Sequence, residues 1–366
     1  MTLTTQVVSP AAIQDTLNKI WESLETTNVT RASLFNLIFY CKKNNRTAYV
    51  QKLAQKVIEK FPSRVIFIAV DTQSKEDFLK TEVSILSSSK GEFDVACDYI
   101  QIEASGPSQL RVPFVVLPHI LPDLPIYLAW AEDPGLDDPL FNQLNTFASR
   151  LIFDSETTDN LARFCTTLMQ NYETTHTDIA DLNWARIENW RDLLSMVFYS
   201  EENLDRMQHA KQIAITFNAQ ESQFFCHTRI QAVYLQAWIA CQLNWEFKSL
   251  RTQKESMLFA YQSKYSPIEV SLTPILNAKL PPGLILSLAI TTLDGHTYSF
   301  SRDLEQIHRI TLHSSDTQSC ALPVTYIFQK AESGHSLVKE VTHRGTSKHF
   351  LKVLNLLKNR ENLGIC

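Results

Sequence analysis

Arg64–Val70, RVIFIAV, is the stretch whose reading decides the fold. Apart from the leading arginine it is apolar without interruption, and Val65, Ile66, Ile68 and Val70 are β-branched. A run of that length with no polar alternation suits a strand buried on both faces, the environment of a parallel sheet covered by helices. Working outward, helix is expected near Ala11–Glu25, a strand at Arg31–Tyr40 (RASLFNLIFY) and a helix at Thr47–Lys60. Downstream, strands are expected at Val83–Leu86, Tyr99–Glu103, Ile126–Trp130 and Leu151–Phe153, the last two separated by a helix near Pro139–Ala148. Alternating strand and helix patterns predict a mostly parallel sheet with helices on both faces.

The polar stretch Asn171–Asp181 (NYETTHTDIAD) breaks this pattern and reads as a linker. Beyond it, helices are expected at Trp184–Phe198, after Glu201 and across Ser222–Asn244. Short strands follow at Ile268–Leu272, Leu284–Thr291, Thr297–Phe300, Ile310–His313 and Val324–Gln329, with a turn at Asp294-Gly295 and a terminal helix at Ser347–Arg360. The expected fold class is therefore α/β. An N-terminal, mostly parallel, Rossmann-like sheet over 1–176 precedes a C-terminal α+β domain over 177–366 with an antiparallel sheet.

The chain of 366 residues is 44% hydrophobic and 20% charged, the balance of a globular protein, and its net charge of −5 gives no reason to expect nucleic acid. Charge is uneven: residues 101–200 carry five Lys+Arg against fourteen Asp+Glu, and 251–366 carry thirteen against nine. The most apolar stretch, Val112–Ala131, is broken by Pro113, Pro118, Pro122 and Pro125 and holds His119 and Asp123, so it is not read as a membrane span. The N-terminus lacks a basic segment followed by an apolar one, so no secretory signal is expected. Seven cysteines stand singly (Cys41, Cys97, Cys165, Cys226, Cys241, Cys320 and Cys366), which fits a reducing cytoplasm.

Much catalytic chemistry is excluded by spacing. The chain has eight glycines, and its nearest two, Gly334 and Gly345, are too far apart for a dinucleotide fingerprint or a P-loop. Asp71 follows the RVIFIAV strand as a ribose-binding acid would, but without the glycine loop it reads as a strand-end turn residue. Neither Cys-x-x-Cys nor His-Glu-x-x-His occurs, and His343 and His349 have the wrong offset for one helical face. The loop Glu132–Asp138 (EDPGLDD) does not follow a calcium pattern and reads as a solvated acidic loop. Cys226-His227 are adjacent, so on a helix they point about 100° apart and cannot act on one another. No catalytic residue, cofactor or metal site is assigned.

Other segments are distinctive: Thr30-Arg31-Ala32; Ser63-Arg64-Val65-Ile66; Cys97–Ala104 (CDYIQIEA); the turn Leu121-Pro122-Asp123-Leu124-Pro125 running into Ile126–Trp130; Ser149–Ser155 (SRLIFDS); and Asp181–Arg186 (DLNWAR) with Trp190–Leu194 (WRDLL). In this order they resemble the glucose-6-phosphate dehydrogenase assembly protein family, OpcA, chiefly over residues 28–200. The resemblance implies a non-catalytic protein that binds glucose-6-phosphate dehydrogenase and promotes its active, assembled form in the oxidative pentose phosphate pathway. An alternative is an enzyme or small-molecule-binding protein acting on a sugar phosphate or nucleotide in the sheet crevice. That reading requires a convergent polar cluster the sequence does not display.

Partner-binding candidates are Arg31, Asp123, Trp130, Trp184, Arg186, Trp190 and Arg191. Ile187, Trp190, Leu194 and Val197 fall on one helical stripe, which favours core for Trp190. Asp181 or Asn183 reads as the helix N-cap. Arg186 and Arg191 are placed to form bidentate pairs within the protein or with a partner. Asp123 is fixed between two prolines, and Trp130 ends a strand where doubly wound sheets open their crevice. His343, Arg344, Lys348, His349, Lys352, Lys358 and Arg360 form a basic segment that reads as the solvated side of a helix.

Overall fold

The computed structural model describes residues 2–25, 29–88, 94–329 and 334–360; Cys366 lies outside the described residues. The chain forms two compact units, each assembled from several segments: 1–158, 167–182 and 332–346 in the first, and 159–166, 183–331 and 347–366 in the second.

The first unit is built on strands β1 Thr2–Val8, β2 Val29–Arg31, β3 Asn36–Lys42, β4 Arg64–Asp71, β5 Phe78–Ser88, β6 Asp94–Ser105, β7 Ile126–Trp130, β8 Arg150–Phe153 and β9 Asp178–Asp181. Their order is β1-β5-β6-β4-β3-β7-β8-β9, with β2 beside β6. From β6 to β9 every neighbouring pair is parallel, whereas β5 runs antiparallel to β6 and β1. Numbered by appearance, that parallel set reads 3-2-1-4-5-6, the doubly wound order, and its switch point lies between β3 and β7. Every residue from Val65 to Val70 is 2% exposed or less, as the apolar run requires.

Helices α1 Ile13–Leu24, α2 Thr47–Ile58, α3 Val112–Val116 and α4 Pro139–Asn145 accompany these strands. Asp138 caps α4 by accepting from the Leu140 amide, with Pro139 in the first turn. The expected strand at Arg31–Tyr40 divides into β2 and β3, because in between the Ala32 amide bonds the Ala96 carbonyl while the Leu34 amide turns to the Pro62 carbonyl. The expected linker at 171–181 is instead the end of α5 Leu161–Thr175 followed by β9. Its polarity misleads: Ile179, Ala180 and Asp181 are all buried, and Asp181 accepts from the Ser155 amide and hydroxyl.

In the second unit, α6 Leu182–Arg186, α7 Glu188–Val197 and α8 Glu201–Gln208 lead into an eight-stranded sheet. Its strands are β10 Ala210–Asn218, β11 Glu246–Gln253, β12 Ser256–Gln262, β13 Pro267–Ile275, β14 Ile285–Thr292, β15 Thr297–Arg302, β16 Arg309–Ser315 and β17 Val324–Ile327. The order is β11-β12-β13-β10-β14-β15-β16-β17, antiparallel except for β10 with β13. α9 Ile230–Gln242 packs on this sheet, and α11 Lys348–Leu357 packs on α9. α10 His335–Thr342 belongs to the first unit, against α2.

Two helix expectations shift. The one at 184–198 breaks at Ile187, and the one across 222–244 begins only at Ile230, because the Ser222 hydroxyl closes a turn onto the Phe224 and Phe225 amides. β10, central to the second sheet, is missed by the sequence reading. No helix among the described residues is long and apolar enough to cross a membrane.

Candidate functional site

In a doubly wound sheet the ligand crevice lies beyond the carboxyl ends of the two switch-point strands, here β3 and β7. The turn after β3, Lys43-Asn44-Asn45-Arg46, leads into α2 without a glycine. Opposite it, the acidic loop after β7 folds into the crevice. Glu132 Oε1 accepts the Lys42 amide at 2.8 Å, and Asp138 Oδ2 accepts the Tyr40 hydroxyl at 3.0 Å. Arg46 bonds Asp154 Oδ2 at 2.6 Å. Asp133, 5% exposed, accepts from the Gly135 amide and the Thr158 hydroxyl.

The loop expected to be a solvated acidic loop thus supplies carboxylates where a phosphate-binding protein would direct amides and cations at its ligand. Burial pushes the Glu132 carboxyl above its ordinary value, against the lowering effects of the Lys42 amide and of the Lys42 and Arg46 charges. Trp130 forms the floor: it is 1% exposed, stacked on Tyr40 at 3.7 Å and met edge-on by Phe141 at 4.9 Å. The cavity among Phe39, Val50, Leu53, Trp130 and Phe153 is about 20 Å³. That is room for about one water, against roughly 300–1,000 Å³ for a small-molecule site.

At the opposite, amino end of the strands, residues far apart in sequence converge on Asp98, which is 1% exposed. Arg64 donates Nε and Nη2 to its Oδ2 at 3.0 and 2.5 Å, Arg31 Nη2 donates to the same oxygen at 2.8 Å, and Trp21 Nε1 bonds Oδ1 at 2.7 Å. Burial alone would raise the Asp98 carboxyl, but Arg64, Arg31 and Trp21 outweigh it and hold it below the ordinary value. Arg64 Nη1 also bonds the His119 carbonyl at 2.9 Å, at the threshold of the LPDLP turn.

That turn is clamped by Asn36, whose Nδ2 donates to the Leu121 and Leu124 carbonyls while its Oδ1 accepts the Leu121 amide. Asp123 at the tip is exposed and holds φ +67°, a left-handed conformation Asp tolerates better than most residues. Its carboxylate takes no hydrogen bond or ion pair among the described residues.

In the second unit, Trp184 and Trp190 are 4% and 3% exposed. The Arg191 guanidinium lies 3.6 Å over the Trp184 ring and donates to the Trp184 carbonyl at 2.7 Å. Arg186 bonds Asn183 Oδ1 at 2.7 Å and sits 5.0 Å over Phe225. Trp190 meets Phe328 edge-on and lies 5.6 Å from Arg302, whose guanidinium burial shifts down to about 10.

Trp184 and Arg191 are therefore neighbours, Arg186 is held beside Asn183 and Phe225, and Trp190 packs into a different cluster. Trp130 lines the crevice, while Arg31 and Asp123 stand at the other end of the first sheet. Sequence reasoning missed Asp98 and the pair Arg46–Asp154. A carboxylate at the start of a buried strand, as in CDYIQIEA, was the available signal for Asp98.

Fold and crevice together define a class: a doubly wound domain that keeps the plan of a dinucleotide-binding sheet but fills its switch point with its own carboxylates. Residues 54–170 match the family model described as glucose-6-phosphate dehydrogenase subunit N-terminal domain, and residues 177–325 match that of its C-terminal domain. The chain belongs to the OpcA family of glucose-6-phosphate dehydrogenase assembly proteins. A relative from Synechococcus elongatus, provisionally named OxPP cycle protein OpcA, is 24% identical over 250 residues, covering 66% of this chain and 54% of that one. One of the same name from Synechocystis is 26% identical over 196 residues, covering 53% and 39%. The chain spans about half the length, or less, of these curated relatives.

Among solved structures it is similar to levoglucosan dehydrogenase in complex with NADH and L-sorbose, with TM-score 0.49 and 9% identity over 90% of this chain and 98% of that one. It is similar also to the UDP-N-acetylglucosamine 3-dehydrogenase GnnA of Acidithiobacillus ferrooxidans, with TM-score 0.47 and 8% identity over 89% and 96%. At those scores the likeness carries no argument about what this chain does.

Proposed function

We propose that this chain is a non-catalytic assembly factor and allosteric activator of glucose-6-phosphate dehydrogenase, acting in the cytoplasm without nucleic acid or membrane as a partner. Family membership supports the choice of partner. The single observation that carries the non-catalytic part is the switch-point crevice, where Glu132, Asp138 and Asp154 take the donors a phosphate would need. An activator of this kind works by binding the active form of the dehydrogenase more tightly than the inactive one, which typically shifts the equilibrium about 5–150-fold. Arg31 and Asp123, the candidates least enclosed by the protein, are the first contact residues to test.

The test mixes the chain with purified dehydrogenase from the same organism and follows NADPH formation alongside size-exclusion chromatography. Co-elution with a lowered KM or a raised kcat is expected. Separate elution with unchanged kinetics, under both reducing and oxidising conditions, overturns the reading. A thermal screen with NADP and sugar phosphates tests the crevice directly, since a ligand at 100 times its Kd would add about 2.7 kcal/mol. No such stabilisation is expected.

A further inference from the structure

We infer that Arg302 is a receptor for a carboxylate brought from outside the chain, a binding site within the second unit that is separate from the switch-point crevice. The inference goes beyond the activator role and does not depend on it. β15 alternates, with Tyr298 and Phe300 buried on its covered face, and Arg302 takes the next position on that face. The pattern asks for an apolar residue there, and a guanidinium stands in its place. Trp190 lies 5.6 Å from it and Phe328 5.3 Å, and the two rings meet edge-on at 5.4 Å.

This charge has no counter-ion. In the first unit Arg46, Arg64 and Arg150 are also largely enclosed, and each meets a carboxylate oxygen at 2.5–2.6 Å. Among the described residues no carboxylate pairs with Arg302. Asp303, next in sequence, spends its side chain on the Glu305 and Gln306 amides. Burial therefore acts on the guanidinium unopposed and shifts it down to about 10, which leaves it charged at neutral pH. Enclosing a charge without a partner is costly, and folded proteins ordinarily supply one.

The hydrogen bonds show where the partner enters. Nε donates to the Ile285 carbonyl at 2.7 Å and Nη1 to the Ile307 carbonyl, which fixes the plane of the group. Nη2 has no acceptor among the described residues, and it is not sealed from solvent. Clamping two carbonyls would need only donors; the charge is what remains unanswered. One open donor on a planar cation fits one carboxylate oxygen lying in that plane. A phosphate is ordinarily held by several converging donors, and here a single one is open. The carboxylate belongs either to a small molecule or to an Asp or Glu side chain of a partner protein, which present the same group.

The experiment follows thermal unfolding of the full chain in sodium acetate against sodium chloride at matched ionic strength. Wild type, Arg302→Gln and Arg302→Lys are compared, with circular dichroism to establish that each folds. Gln keeps a donor and removes the charge, while Lys keeps the charge and loses the planar fork. Acetate is expected to raise the wild-type melting temperature saturably, that of Arg302→Lys less, and that of Arg302→Gln no more than chloride does. Size-exclusion chromatography with the dehydrogenase then separates the two sources. If the carboxylate is that partner's, acetate competes with co-elution and Arg302→Gln weakens it at least about tenfold. If co-elution is unchanged while acetate acts on wild type alone, the site serves a small carboxylate. An acetate effect that is absent from wild type, or equal in all three chains, overturns the inference when dehydrogenase binding is also unchanged in Arg302→Gln. A wild type that does not bind the dehydrogenase refutes the activator reading, and the acetate titration by itself then decides this one.

Discussion

Replacing Asp98 by Asn should destabilise the first unit far more than removing the surface arginine that contacts it. Asp98 is 1% exposed and Arg64 3%, so the substitution strands a buried guanidinium with only the His119 carbonyl and a neutral amide beside it. Breaking one side of a buried pair costs about 3–5 kcal/mol. For a unit of this size that corresponds to roughly 6–20 °C in Tm. Arg31 reaches the same carboxylate with its side chain 38% exposed, and pairs so placed contribute about 0–1 kcal/mol.

The assay is urea and thermal unfolding at pH 7 of wild type, Asp98→Asn and Arg31→Ala, followed by tryptophan fluorescence, to which Trp21 reports directly. The pH dependence has a definite sign. Because the folded-state carboxyl is held below 3.8, the wild-type advantage is fully present above that value. It fades as pH falls through the lower folded value. A cost under about 1 kcal/mol for Asp98→Asn, an equal cost for Arg31→Ala, or a gap that widens on acidification would refute the reasoning.

Other predictions follow from the same geometry. Glu132→Gln should be neutral or stabilising at neutral pH in chemical denaturation, because burial raises this carboxyl and the amide oxygen can still accept the Lys42 N–H. The effect should vanish as pH drops below the raised value and the wild-type residue protonates. Glu340→Gln should cost about 1–3 kcal/mol by replacing the carboxylate that Arg150, 4% exposed, meets at 2.6 Å, since Asp178 at 4.0 Å and the Gly345 carbonyl at 3.0 Å stay beside the guanidinium; unfolding of the whole chain measures it. Trp130→Ala should cost about 3–5 kcal/mol through the lost stack on Tyr40 and the void left behind, read as a lower melting temperature. In native protein a maleimide should label the exposed Cys226 and Cys320 within minutes. It should spare Cys41 and Cys97, whose thiols burial pushes up to about 12.

The sequence by itself determined what depends on neighbours along the chain. An unbroken apolar run makes Arg64–Asp71 a doubly covered strand, and Asp138-Pro139 starts a helix. Glycine spacing excludes the usual phosphate cradles at any tertiary arrangement, because that chemistry needs close glycines in one turn. The ordered segments from Arg31 to Leu194 carried the family, and the model matches agree with it.

Tertiary structure decided whatever depends on partners remote in sequence. Polar content at 171–181 signals a linker locally, yet β8 recruits Asp178–Asp181 as a sheet edge and Ser155 satisfies Asp181. Asp98 is an isolated acid in the sequence; only the parallel register sets it beside Arg64, 34 residues away, and near Arg31, 67 away. The acidic loop became the plug of the crevice because the Lys42 amide and the Tyr40 hydroxyl supply donors that only sheet order brings opposite it, while Arg46 is taken by Asp154. Periodicity records which face of an element is buried; which distant groups then meet depends on strand order and register, and a single strand's pattern carries neither.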